Sequence, residues 1–203
     1  MNPKYILLAL FLLVTPAHAN EPFSVFSSES YGGNRKGTEE EEKLFTFVKE
    51  KADAPSRYFR LGKSKYLVTV DSAYIISGLY LVSLDEGYAK KIVGGNIGVI
   101  EEHRTERNYR WLLVNSGSIH MGVGVDSYTA VIIPSDATQN LVVSPLAGVS
   151  TDDNRDGEIV SYKVDERRGD VVFRTREEDI AQNTKKETEV TFIFSQNGFT
   201  RKP

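Results

Sequence analysis

The residues with the most recognisable chemistry lie in the sequence STDDNRDGEIVSYKV. Asp152, Asn154 and Asp156 occupy alternate positions there and are followed by Gly157. Calcium binds several hard oxygen ligands, and a D-x-N-x-D-G pattern supplies three of them before a sharp turn. One interpretation is therefore a calcium site formed by these three side chains and Glu158, with a dissociation constant of about 10⁻⁴ to 10⁻³ M.

A tight hairpin turn is the other interpretation of the same segment. In the helix-loop-helix calcium motif the last loop position is a bidentate glutamate, whereas Lys163 stands there in this chain, so the segment is not an EF-hand. Asp, Asn and Gly are also the residues that any tight turn selects, because their side chains bind the local backbone or tolerate left-handed conformations. Both interpretations stay open, and a bound calcium ion would stiffen the loop rather than catalyse a reaction.

Two histidines lie beside residues with which they could do chemistry. Successive side chains of a strand point to opposite faces, so Glu101 and His103 are predicted to share a face while Glu102 lies on the other. Ser118 and His120 are aligned in the same way. No G-x-S-x-G elbow surrounds this serine, and the chain has no cysteine and no H-x-x-x-H pair for a zinc site. The sequence therefore predicts a protein that is not an enzyme.

The segment SRYFRLGKSKY interleaves basic and aromatic residues, a composition found where proteins bind nucleic acid. The formal net charge of the whole chain is −3, which argues against a nucleic-acid partner. Strands that present solvated basic side chains explain the segment better.

The first 19 residues have the pattern of a secretory signal peptide. Lys4 precedes an apolar run over residues 5–14, and the triplet Ala17-His18-Ala19 offers a small-x-small cleavage site. No later apolar segment is long enough to span a membrane after this signal is removed. A chain without cysteine cannot be a disulfide scaffold, so we expect a periplasmic or secreted protein that folds on its core alone.

Residues 20–37 are rich in Ser, Gly and polar side chains, which predicts a flexible N-terminal arm. A single β-rich domain is predicted over residues 38–203, and it begins with a helix over residues 38–53. Thr38 and Glu41 have the spacing of a capping box, and the acidic run 39–42 complements the positive end of the helix dipole. The apolar residues that follow fall on one helical face, namely Leu44, Phe47, Val48 and Ala52.

After Pro55 the chain consists of short apolar runs separated by turn residues about every ten positions. These runs are residues 66–70, 73–84, 88–93, 109–114, 128–133, 141–143, 160–164, 171–174 and 190–194. In one of them, Val160, Tyr162 and Val164 are predicted to share a face. The spacing predicts a mainly β fold, an antiparallel meander or sandwich, and segments 78–95 and 126–145 also fit propeller-like hairpin units. Residues 177–186 could form a short second helix.

Three functional classes follow from these observations. The first is an exported, periplasmic β-rich binding protein that acts by protein–protein interaction, such as an inhibitor or an immunity protein that neutralises a toxin or an enzyme. Aromatic side chains among charges, the composition of interface hot spots, favour this class. The alternatives are a calcium-binding structural module of the envelope and a periplasmic hydrolase that uses His103 or His120. The sequence determines neither the partner nor the oligomeric state.

Overall fold

The computed structural model describes residues 23–26, 37–72, 76–120, 122–136 and 140–203. The predicted signal peptide and most of the predicted N-terminal arm lie outside these residues. The elements in chain order are β1 (Ser24–Val25), α1 (Glu39–Ala52), β2 (Pro55–Arg60), β3 (Lys65–Val70), β4 (Gly78–Ser83), β5 (Tyr88–Gly94), β6 (Asn96–Arg104), β7 (Arg110–His120), β8 (Val123–Ile133), β9 (Val142–Thr151), β10 (Arg155–Val164), β11 (Val171–Asp179), β12 (Thr184–Ser195) and β13 (Gly198–Arg201).

The strands form three antiparallel sheets in chain order. Sheet A contains β1 to β5, sheet B contains β6 to β9 and sheet C contains β10 to β13. Within each sheet every strand pairs with the next one along the chain, with no crossover. The predicted mainly β meander with one N-terminal helix is therefore confirmed. No helix in the described part of the chain is long and apolar enough to cross a membrane.

The helix and the three sheets are stacked as four layers. One face of sheet A packs against α1 through a cluster that includes Leu44, Val48 and Val68. The other face of sheet A packs against sheet B, and the second face of sheet B packs against sheet C. Sheet B is therefore the layer that is covered on both sides by other sheets.

The residues of β7 explain why sheet B lies in the middle. Trp111, Leu112, Leu113 and Val114 are consecutive, and each side chain is at most 1% exposed. Leu112 and Val114 face sheet A, whereas Trp111 and Leu113 face sheet C. A strand buried on both faces needs an unbroken apolar run, because alternate side chains enter different cores.

The alternation along β12 shows that sheet C is an outer layer. Val190, Phe192 and Phe194 pack against the core shared with sheet B. Glu189, which precedes Val190, and Ile193, which lies between the two phenylalanines, are exposed to solvent. Alternation of this kind is expected of an antiparallel strand with one face on a core and the other in water.

The helix agrees with its prediction from residues 38–53. Thr38 is the N-cap, and its Oγ1 accepts a hydrogen bond of 3.2 Å from the backbone N–H of Glu41. The helix ends at Asp53, whose backbone N–H donates to the carbonyl of Lys49. The buried residues Leu44, Val48 and Ala52 cover sheet A.

Two parts of the chain differ from the local sequence pattern. Within the segment expected to be an arm, β1 pairs with β2, and the flanking Phe23 and Phe26 are buried. The expectation of a second helix over residues 177–186 is wrong, because β11 and β12 form a hairpin there. Glu178 faces Lys185 across this hairpin with an ion pair of 2.8 Å, so the charges pair between strands rather than along a helix.

The sheets are joined at tight corners. Gly95 alone separates β5 from β6 and has φ +92°, and a Cβ atom on it would lie 2.7 Å from the carbonyl oxygen of Gly117. Only residues 152–154 separate β9 from β10. From this corner β10 passes diagonally over sheet B, since its Gly157 lies against Ser150 of β9 whereas its Tyr162 reaches Glu101 of β6.

Candidate functional site

The segment predicted to be a calcium site or a turn forms the corner between sheets B and C. The Asp152 Oδ1 accepts hydrogen bonds from the backbone N–H groups of Asn154, at 2.8 Å, and Arg155, at 2.9 Å. The backbone N–H of Asp152 also donates to the carbonyl of Arg155, at 2.8 Å. The Asp152 carboxylate thus closes its own turn, which is the usual role of Asp at such a position.

Gly157 has a packing role at this corner. It lies within β10 opposite Glu177, in an extended strand rather than in the turn. A Cβ atom at this position would lie 2.6 Å from the carbonyl oxygen of Ser150 in β9. Glycine is therefore needed because two backbones approach closely.

Of the other predicted calcium ligands, Asn154 lies in the turn, whereas Asp156 and Glu158 lie in the first part of β10. The Thr151 hydroxyl donates to Asp156 Oδ1 at 3.3 Å, and Glu158 Oε2 forms an ion pair of 3.1 Å with Arg176 Nη1. The backbone carbonyl of Asn154 accepts from the N–H of Ile180. Among the residues that the structure describes, no three Asp, Glu, His or Cys side chains gather where they could hold a metal ion. Calcium binding at this corner stays a prediction.

Glu101 and His103 share a face of β6, as predicted. The His103 Nε2 lies 3.3 Å from Glu101 Oε2. This nitrogen is buried and makes no hydrogen bond of good geometry to the described residues, so the contact is electrostatic rather than directional. Glu102 points to the opposite face, where its Oε1 accepts from Arg110 Nε at 2.9 Å.

An interlayer cluster of Glu101, His103, Trp111, Tyr162 and Glu166 joins sheets B and C. The Tyr162 hydroxyl donates to Glu101 Oε1 at 2.5 Å. The His103 Nδ1 lies 3.4 Å from Glu166 Oε1, and the His103 ring stacks on Trp111 with centroids 4.6 Å apart. Only 11% of the His103 side chain is exposed, which leaves the imidazole little surface with which to contact a substrate.

Two groups of the interlayer cluster have shifted titration. The adjacent His103 imidazole lowers the pKa of Glu101, burial opposes this effect, and the hydrogen bond from Tyr162 adds to it. Burial, followed by the hydrogen bond to Glu101, raises the pKa of Tyr162 well above its usual value. Near neutral pH the pair therefore consists of a charged carboxylate and a neutral phenol, the two forms that a strong hydrogen bond requires.

The basic and aromatic segment contributes to packing between layers. The Arg57 Nη2 donates to the carbonyls of Ile97 and Gly98 in sheet B, at 3.3 and 3.1 Å. Arg60 forms an ion pair of 3.2 Å with Glu40 of α1. These contacts connect sheet A to its two neighbouring layers, which accounts for the two arginines without an anionic polymer.

Exposed aliphatic side chains occur on both faces of sheet B where β6, β7 and β8 extend beyond its covered part. This hairpin-end surface consists of Val99, Ile119, Val123 and Val125, and Ile119 is 60% exposed. In the hairpin pairing Ile119 lies opposite Gly124, and Val125 lies opposite Ser118. The Ile119 side chain is therefore on the face of the hairpin that continues towards sheet C, and the Val125 side chain is on the face that continues towards sheet A. The sequence analysis did not select these residues. The feature that could have identified them is the length of β7 and β8. Each strand has 11 residues, which is longer than its buried run.

A cavity of about 360 Å³ lies beside Ile119 and Val125. Its edge is polar and includes Asn96, Thr151 and Asp126, and Asp126 accepts a hydrogen bond of 2.6 Å from Asn115 Nδ2. His120 ends β7, and its side chain lies outside what the structure describes, so its predicted alignment with Ser118 stays a prediction.

Comparison of the chain with protein-family models, with curated proteins and with solved structures gives no significant match. The functional argument therefore rests on the residues of this chain. Within the described part, the interlayer cluster is largely enclosed, whereas the hairpin-end surface is apolar, exposed and bordered by polar groups.

Proposed function

We propose that the protein is an exported β-rich binding protein that acts by protein–protein interaction, with the hairpin-end surface as its contact region. The proposal rests on four exposed aliphatic side chains, Val99, Ile119, Val123 and Val125, on the two faces of sheet B where β6 to β8 extend beyond its covered part. Apolar side chains that are exposed together at one end of a folded protein commonly mark a site of interaction, because water is a poor solvent for them.

The chemistry of this surface supports a protein partner. Protein interfaces combine an apolar centre with a polar rim, and here Asn96, Asp126 and Thr151 border the aliphatic side chains. The adjacent cavity could take one aliphatic or aromatic side chain from a partner, the kind of anchor that dominates binding energy. A formal net charge of −3 also favours a protein over a nucleic acid.

The strands that carry the hairpin-end surface are held in place by the buried part of sheet B, which would limit the conformational entropy lost on binding. β7 and β8 continue from it into the doubly covered part of sheet B. At the boundary the hydroxyls of Ser116 and Ser127 lie 3.0 Å apart across the two strands, and Ser116 is buried. A preorganised surface of this kind binds more tightly than a mobile one of equal area.

The export signal predicted over residues 1–19 places this activity in the periplasm or outside the cell. A small exported protein that binds another protein fits the role of an inhibitor, including an immunity protein that neutralises a toxin or an enzyme. The calcium-binding module is the alternative, and its test is given in the Discussion.

The test is affinity capture of the full chain, carrying a C-terminal tag and expressed in its own host, with mass-spectrometric readout. The surface variant combines Ile119→Asp and Val125→Asp. The matched control is Ile180→Asp, because Ile180 is also aliphatic and 53% exposed but lies in the β11–β12 turn. We expect a stoichiometric partner with the wild type and the control, and its loss with the surface variant, at equal melting temperatures.

Two outcomes contradict the proposal. If the surface variant retains the partner, the hairpin-end surface is not the contact region. If neither the wild type nor the control captures a stoichiometric protein, the binding function itself is refuted.

A further inference from the structure

A second cavity lies where four parts of the chain meet at one end of sheets B and C. It measures about 490 Å³, within the range of about 300 to 1,000 Å³ that is usual for small-molecule sites. The residues around it come from the loop before β7, the end of β8 with the described part of the connection that follows it, the start of β9 and the β12–β13 turn. It is at the opposite end of β8 from Val123 and Val125, roughly 30 Å away at about 3.3 Å per residue.

The floor of this cavity is apolar and fixed. Ile132, Pro134 and Val142 line it, and the side chains of Pro134 and Val142 are half-buried. Tyr109 lines it as well, and its half-buried ring packs against Phe194 with centroids 5.9 Å apart. Such a floor presents C–H groups and an aromatic ring to whatever occupies the cavity.

The rim of the cavity carries three primary amides, from Asn140, Gln196 and Asn197, all of them exposed. The Tyr109 hydroxyl donates to Gln196 Oε1 at 3.0 Å, which orients this amide and leaves its Nε2 group as a donor. Each primary amide has both donor and acceptor groups, so the rim can match ligand hydroxyls, which also donate and accept.

The turn that supplies two of these amides is held in place. The Ser195 Oγ accepts from the backbone N–H of Asn197 at 3.3 Å and donates to the carbonyl of Gly198 at 2.8 Å. Gly198 has φ +129°, and the following Phe199 N–H donates to Ser144 Oγ of β9 at 3.2 Å. The positions of Gln196 and Asn197 relative to sheet B are therefore set before any ligand arrives.

The charge around the cavity selects among polar ligands. Asp136 is the one carboxylate among the described lining residues, and no Lys, Arg or His is among them. Phosphates and carboxylates would therefore meet no cation among the described lining residues.

We propose that this cavity is a binding site for an uncharged carbohydrate. The apolar floor and Tyr109 suit the C–H face of a sugar ring, and the three amides suit its hydroxyl groups. The site goes beyond the protein–protein interaction proposed above and uses none of its residues.

The test uses the intact protein with glucose, N-acetylglucosamine, maltotriose and tri-N-acetylchitotriose as probes. Saturation-transfer NMR detects contact, and titration calorimetry gives the dissociation constant. The probes distinguish a glycan chain from a free sugar as the ligand. Tighter binding of a trisaccharide than of its monosaccharide indicates a glycan chain, and equal affinity for the two indicates a free sugar. Both results support the site, and glucuronic acid is expected to bind no more tightly than glucose, because no Lys, Arg or His is among the described lining residues.

Variants connect binding to the cavity. We expect the Gln196→Ala/Asn197→Ala double variant to weaken binding by about 10- to 30-fold, and Tyr109→Phe to weaken it about fivefold, as hydrogen bonds are lost. The control is Gln182→Ala, an exposed amide in the β11–β12 turn, which should bind like the wild type. Failure of all four neutral probes to bind at 10 mM, unchanged affinity in the double variant, or tighter binding of glucuronic acid than of glucose would each overturn the proposal. None of these results depends on the protein partner.

Discussion

Removal of the Tyr162 hydroxyl should weaken the connection between sheets B and C by a measurable amount. In Tyr162→Phe the ring contacts with Tyr128 and Phe173 are kept, while the 2.5 Å hydrogen bond to Glu101 is lost. Glu101 then keeps its charge in a site where only 20% of its side chain is exposed. The variant therefore removes one interaction without creating a large cavity.

The magnitude follows from the charge of the acceptor. A hydrogen bond to a charged group contributes about 1.5 to 3 kcal/mol, and the lower end applies here because water still reaches part of Glu101. We expect the free energy of unfolding to fall by about 1.5 kcal/mol at pH 7.

The same interaction should depend on pH in a defined direction. The pKa of Glu101 is lowered by folding, so its contribution to stability is complete above the unfolded pKa of about 4.3 and is lost as the pH falls through the folded value. The difference between wild type and Tyr162→Phe should therefore shrink below about pH 4.

Urea denaturation at several pH values measures this difference, and Tyr128→Phe is the matched control. Tyr128 lies in the same core between sheets B and C and contacts Tyr162, but its hydroxyl makes no hydrogen bond to a described residue. A double-mutant cycle with Glu101→Gln isolates the pairwise energy. Equal losses in Tyr162→Phe and Tyr128→Phe, or a coupling energy near zero, would refute the hydrogen bond as a link between the sheets.

Three further predictions concern the corner between sheets B and C and the buried and exposed parts of β7. Gly157→Ala should lower the free energy of unfolding by about 1 to 3 kcal/mol, because its Cβ would lie 2.6 Å from a backbone oxygen, and an unchanged urea midpoint would contradict the close approach. The calcium hypothesis predicts that 10 mM calcium raises the melting temperature by about 3 to 11 °C over chelator, and that Asp156→Ala removes this rise; coincident wild-type melting curves would eliminate it. Leu113→Ala should lower the free energy of unfolding by about 2 to 5 kcal/mol, whereas Ile119→Ala should change it by less than about 0.5 kcal/mol. Comparable losses in the two variants on urea denaturation would mean that Ile119 is buried.

Features determined by local sequence were predictable. The helix depends on the Thr38 cap and on apolar spacing within one segment, and the structure has it within one residue of the predicted bounds at each end. The shared face of Glu101 and His103 follows from strand geometry alone. The shared face predicted for Val160, Tyr162 and Val164 is only partly correct, because a register shift between Ile159 and Ser161 brings Ile159 into the core.

Features that depend on distant parts of the chain were not predictable. β1 has only two residues, too few for any periodicity, and it is stable because Phe23 and Phe26 enter cores formed by other elements. The contact of Tyr162 with Glu101 requires β10 to cross sheet B, which no local pattern specifies. The role of Gly157 likewise becomes visible only when β9 lies beside β10.

The strand order of the three sheets has a consequence for how the protein opens. Every paired strand is the neighbour of its partner in sequence, so each sheet can form from local contacts, and low contact order favours rapid folding. The cores, however, are shared, and loss of either outer sheet exposes one whole face of sheet B. Amide hydrogens of β7 and β8 should therefore exchange only in global unfolding, while those of β1 and β13 exchange through smaller openings. The three sheets should therefore unfold as one cooperative unit around sheet B. Before that, β1 and β13 should open locally and independently of each other.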